Sequence, residues 1–194
     1  MPRELNDLLK EMHRLEEQLE SYWDSLREQF NYTLKDRKIL FERETRDSHL
    51  KMRVNLYDYL LNARLVNILT APVIYAMIFP IVLLDISFMV YQHICFRAYK
   101  IPLVNRREYI LAIDRYQLEY LNIIEKVNCL YCGYANGLIS YVKEILARTE
   151  QYWCPIKHAR TIRDAHQRYV KFKEFGDGKA YHKDRIKLRQ DFDE

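Results

Sequence analysis

The 194 residues carry 31 Lys and Arg against 27 Asp and Glu, a formal charge of +4, and 49% of them are hydrophobic. A chain this apolar is not a disordered polar tail, and a charge this balanced argues against a dedicated nucleic-acid binder. Four Gly and five Pro are too few for the turns of an all-β fold or for a glycine-rich nucleotide loop, so the expected class is all-α.

Between residues 3 and 71 there is neither Gly nor Pro. Leu5, Leu8, Met12, Leu15, Leu19, Tyr22 and Leu26 follow steps of three and four. That spacing keeps one apolar stripe facing a partner helix, as in a coiled coil. Residues 1–66 are therefore expected to form one long amphipathic rod, and a helix running unbroken to residue 71 would reach about 100 Å. With no turn on which to fold back, its seam predicts a homo-oligomer. The charged runs at 36–38 and 42–47 read as a solvated helix face.

Residues 68–90, ILTAPVIYAMIFPIVLLDISFMV, hold a single charge, Asp85. An apolar run of that length is what a bilayer-crossing helix needs, which places a membrane segment at 67–97 with the lipid bilayer as its partner. Pro72 and Pro80 lie inside the run and leave two topologies open. One is a span; the other is a re-entrant hairpin bent near Pro80 with both flanks on the cytoplasmic side. Arg53 and Arg64 precede the segment, and Arg97, Lys100, Arg106 and Arg107 follow it. A carboxylate within a membrane is a functional site by default. Asp85 shares a helix face with Gln92, seven residues on, so an ion or proton site or a contact between subunits is one expectation there; the other is that Pro80 bends the segment and leaves Asp85 near a membrane interface.

Ile101-Pro102 ends that segment, and residues 106–128 carry the pattern of an amphipathic helix through Ile110, Ile113, Leu121, Ile124 and Val127. The CGYANG stretch at 132–137 is expected to turn the chain into a second helix at 138–151, making 98–158 a helical hairpin. Cys129-x-x-Cys132-Gly133 has the form of a metal knuckle, and Cys154-Pro155-x-x-His158 that of a half-site. Pro155 suits the first turn of a helix, which would put Cys154 at its N-cap with a lowered thiol pKa. Cys129, Cys132, Cys154 and His158 together make a Cys3His set, a structural zinc composition. Iron is the alternative metal, and a dithiol or disulfide the alternative chemistry. His93 and Cys95 are second-tier ligands. A straight helix over 138–151 would hold the half-sites about 21 Å apart, so closure requires a break in it or a second chain.

Asp114, Glu119 and Glu125 read as solvated-face carboxylates, and HExxH, GxSxG and paired ExxH patterns are all missing, so no catalytic residue is nominated. Residues 159–194 have a basic excess interleaved with Tyr169, Phe172 and Phe175, a composition suited to anionic headgroups. The last dozen residues are expected to be mobile.

C-x-x-C-G-Y at 129–134 resembles the first half of a rubredoxin-type iron site. The second half, C-P-x-C, is met here only by Cys154-Pro155, with Lys157 in the place of the fourth thiolate and His158 one position later. The segments NCLYCGYANG and ARTEQYWCPIKHA resemble those of a family of uncharacterised bacterial membrane proteins. That resemblance implies a bacterial inner membrane and supplies no activity. The N-terminal rod is expected in the cytoplasm, since roughly 65 highly charged residues would otherwise have to cross the bilayer. The expected function is a membrane-anchored, self-associating helical scaffold stapled by a structural metal. The alternatives are a redox or metalloenzyme component and an oligomeric channel using Asp85.

Overall fold

The computed structural model describes residues 3–35, 38–110 and 114–192. It is all-α apart from one two-stranded hairpin. The chain divides into two compact units, Met1–Leu61 with Asp114–Lys126, and Asn62–Ile113 with Val127–Glu194.

The first unit opens with α1 (Arg3–Gln29). The expected rod ends there, less than halfway to residue 71. Asn31 takes a left-handed backbone, φ 50°, which Asn tolerates better than other non-glycine residues. A chain without Gly or Pro can therefore still turn. Beyond it, β1 (Tyr32–Lys35) and β2 (Lys38–Phe41) pair antiparallel, with Tyr32 opposite Phe41 and Leu34 opposite Ile39. Aromatic and β-branched residues favour such a pleated pair, and the Tyr32 and Phe41 rings lie 5.8 Å apart. Two helices follow, α2 (Arg43–Met52) and α3 (Leu56–Leu61). The later segment of this unit contributes a 3-10 turn (Arg115–Gln117), whose Gln117 Oε1 accepts from the Ile39 amide at 3.0 Å. On α1, Leu15, Leu19 and Tyr22 are each more than half exposed, while Leu26 is half-buried.

The second unit is built on a helical run from Leu65 to Tyr99, 35 residues long. Its parts are α4 (Leu65–Ala76), α5 (Ile78–Tyr91), a π-helical turn (Gln92–Phe96) and α6 (Arg97–Tyr99). The run is interrupted at Met77, three residues before Pro80, whose ring crowds the Ala76 carbonyl and offers it no N–H. Met77 keeps right-handed helical angles, φ −64° and ψ −12°, so the chain continues onward and does not double back near Pro80. Of the two expected topologies, the re-entrant hairpin is not adopted.

The run stops at a Schellman turn. Lys100 takes φ 57°, and the Ile101 amide donates to the Phe96 carbonyl at 2.8 Å. Phe96 and Ile101, the apolar pair that accompanies such a turn, are both buried in the core with Val104, Leu138, Tyr141, Val142, Ile145 and Phe192.

Of the helix expected at 106–128, α7 (Arg106–Ile110) forms at the start and a separate helix from Ile123 takes up the end, while the described residues between them are not α-helical. Neither is there a hairpin at CGYANG, because α8 (Ile123–Trp153) runs straight through it. The start of α8 is fixed by a capping box. Asn122 Oδ1 accepts from the Ile124 and Glu125 amides at 3.0 Å, and Glu125 Oε2 accepts from the Asn122 amide at 2.8 Å. Gly137 serves packing: a Cβ there would lie 2.6 Å from the Tyr109 carbonyl oxygen. Its lack of a side chain lets α7 approach α8, which offsets the roughly 1 kcal/mol that Gly costs inside a helix.

The C-terminal residues are folded back rather than mobile. A 3-10 helix (Gln167–Lys171) and α9 (Gly178–Leu188) bring Phe172, Leu188 and Phe192 into burial. The fully buried Gln151 of α8 donates to the Leu188 carbonyl at 2.9 Å and to the Asp191 carbonyl at 2.5 Å. Arg189 donates to the Tyr152 carbonyl at 2.7 Å. Residues 193–194 lie outside the described residues.

Candidate functional site

Asp85 sits on α5 in the most apolar part of the chain and is 4% exposed. Such a burial is tolerated only when the charge is matched and hydrogen-bonded. Arg106, at the start of α7, supplies the match with a two-pronged grip: Nε to Oδ1 at 3.1 Å and Nη2 to Oδ2 at 2.6 Å. The Tyr134 hydroxyl on α8 donates to Oδ2 at 2.8 Å. One carboxylate thus ties together α5, α7 and α8. The bond to Asp85 holds the Arg106 guanidinium pKa above its ordinary value. Burial, with Asp85 second, raises that of Tyr134.

A second polar node lies two turns further along. Gln92, 2% exposed, donates through Nε2 to the Tyr141 hydroxyl and accepts from the Val104 amide at 3.1 Å. Tyr75 donates to Asn128 at 2.5 Å near the start of the run, and Tyr91 is bonded to Thr149 at 3.0 Å. From Asp85–Tyr134 to Gln92–Tyr141, both partners advance by seven residues. The two long helices therefore run parallel, their bonded partners repeating at an interval of seven residues. The intervening segment returns along them, Val104 meeting Gln92 before Arg106 meets Asp85.

The opposite face of the run is bare. Phe79, Leu83, Ile86 and Val90 are each about half exposed or more, as are Leu69 and Val73 one bend earlier. Three polar side chains on the run bond its own backbone. Thr70 donates to the Val66 carbonyl at 2.8 Å, Ser87 to that of Leu83 at 2.7 Å, and His93 Nδ1 bonds that of Met89 at 2.7 Å. Among the described residues this is the one helix long and apolar enough to cross a membrane, and only 6% of its apolar window is buried within the chain.

The Cys and His residues fall differently from the expected Cys3His set. Cys129 and Cys132 lie one turn apart within α8, and Cys154 follows its last residue. A straight helix puts roughly 35 Å between those two places. Among the described residues, no group of three His, Cys, Asp or Glu converges on a metal-sized site, neither at Cys129, Cys132, Cys154 and His158 nor at His93 and Cys95. His158 stacks on Tyr169 with centroids 6.2 Å apart, and its amide takes the Tyr169 hydroxyl as acceptor at 2.6 Å.

Cys154 is also at the opposite end of a helix from the expected one. Pro155 disfavours helical geometry in the residue before it, so Cys154 closes α8, where the carbonyl end of the dipole opposes a thiolate. Burial, and then the Glu150 carboxylate, push its thiol pKa up, not down.

Arg106 and Tyr134 are the residues that sequence reasoning missed as partners of Asp85. Arg106 was legible only as a flanking charge. The detectable signal was the repeat of one interval, Asp85 to Gln92 and Tyr134 to Tyr141, which marks two helices in matching register. No family model matches the chain, and neither a curated protein nor a solved structure does.

Proposed function

We propose that this protein is a membrane-anchored helical scaffold, held in the bilayer by Leu65–Tyr99 and self-associating through the apolar stripe of α1. The observation that carries it is the bare apolar run, 6% buried across its window. A core helix of a water-soluble domain buries that surface. Six large apolar side chains left in water would cost on the order of 10 kcal/mol, which lipid removes. The inward bonding of Thr70, Ser87 and His93 supports the same reading, since lipid offers no partner for such groups.

Asp85 serves within this proposal as the internal clamp of the anchor. Its charge is taken up by Arg106 and Tyr134 of the same chain, and that favours the clamp over an ion path. The exposed stripe of Leu15, Leu19 and Tyr22 on α1 is the surface offered to a second copy. Membrane fractions of cells expressing the full chain test the anchor. The protein should remain in the pellet through alkaline carbonate and leave it only in detergent. Release by carbonate alone would contradict the proposal.

A further inference from the structure

We propose that the first unit contains a binding site for a small amphipathic monoanion, a flat ring system bearing one carboxylate. The site is a cavity of about 570 Å³ between the end of α1, the hairpin and the 3-10 turn of the later segment. Its size falls among ligand pockets, roughly 300–1,000 Å³. Trp23, Phe30, Tyr32, Phe41 and Tyr120 supply aromatic walls. Trp23 is 48% exposed and Phe30 54%, although each could bury 150 Å² or so of apolar surface by meeting a ring. Clustered exposed aromatics mark a surface with an occupant rather than a finished core.

Charge at the same cavity selects the sign of that occupant. Arg27 and Arg115 line it against one carboxylate, Asp114. Arg27 also reaches back to Asp24 at 2.5 Å, whereas Arg115 has no carboxylate partner among the described residues. His49 lines the cavity too, held edge-on between Phe41 and Tyr120 with centroids 5.0 Å from each. Its Nδ1 is turned away from solvent, so the imidazole serves the cavity as part of its wall. Aromatic walls accept the ring of the ligand and the Arg115 guanidinium its carboxylate, with the Arg27–Asp24 pair also at the cavity. A cationic analogue meets two arginines in the cavity lining and is disfavoured.

The test is calorimetric titration of the full chain in neutral detergent with 2-naphthoate, its uncharged amide and 2-naphthylmethylammonium. The expected result is 1:1 binding of the naphthoate. Binding should be about tenfold or more weaker for the amide and for naphthoate with Arg115→Gln, as loss of a charge-assisted hydrogen bond implies. In a Trp153→Phe chain, the emission of the remaining Trp23 should change as the site fills. Three outcomes overturn the proposal: no binding, equal binding of all three compounds, or unchanged naphthoate affinity when Arg27→Gln and Arg115→Gln are combined. Because both substitutions remove charge and no aromatic ring, those variants leave the aromatic walls in place, and partition into micelles is the same for every chain.

Discussion

At the scale of single residues, the two halves of the Asp85–Arg106 pair are unequal. Asp85 is enclosed, with its side chain 6% exposed, while that of Arg106 is 39% exposed. Removing the cation strands a buried carboxylate; neutralising the carboxylate leaves an arginine that can turn to water or headgroups. Arg106→Ala should therefore cost about 2–4 kcal/mol, less than a fully buried pair would because one partner is partly solvated. Asp85→Asn, which can still accept from Tyr134, should cost about half as much. Thermal unfolding in detergent gives the order, and a reversed order would contradict the clamp. Gly137→Ala tests a different contact. The added methyl meets the Tyr109 backbone carbonyl at 2.6 Å, a clash of about 1–3 kcal/mol that outweighs the helix propensity gained. Its melting temperature should fall, although the same change in an open helix would raise it.

At the scale of elements, periodicity was a sound guide to type and a poor one to extent. The three-and-four spacing from Leu5 to Leu26 located α1, and the apolar run located the long helix containing Asp85. What local pattern did not carry was where a helix stops. Asn31 turned the chain without Gly or Pro, and Gly133 and Gly137 failed to turn it because packing against α7 needed a flat helix surface at Gly137. The Asn122-x-x-Glu125 box was the legible start of α8 and outweighs any turn signal inside it. The metal set rests on the spacing of a knuckle, which needs a turn at Gly133. Once Cys129 and Cys132 lie on an uninterrupted helix, the same spacing means only that two thiols share one face. The α1 stripe makes its own prediction: replacing Leu15 and Leu19 by Asp should lower the particle mass measured by light scattering in detergent, since charges in a helix seam oppose pairing. An unchanged mass would remove self-association through α1.

At the scale of the whole molecule, one long helix is asked to satisfy two solvents. Its inner face carries Asp85 and Gln92 to partners on α7, α8 and the returning chain, and its outer face is apolar and bare. Both faces are needed for the account. In the proposed anchor the inner one would let a charge lie at the depth of a hydrocarbon core, and the outer one would give a bilayer its surface to bury. The most direct measurement is the environment of that outer face. Spin labels placed one at a time through Phe79→Cys, Leu83→Cys and Ile86→Cys, in a chain whose four native cysteines are Ser, can be read in vesicles for collisions with oxygen and with a water-soluble nickel chelate. The account predicts high oxygen and low nickel accessibility at all three positions, the signature of lipid. High nickel accessibility would mean water, low accessibility to both would mean a protein partner, and either result would contradict a membrane anchor.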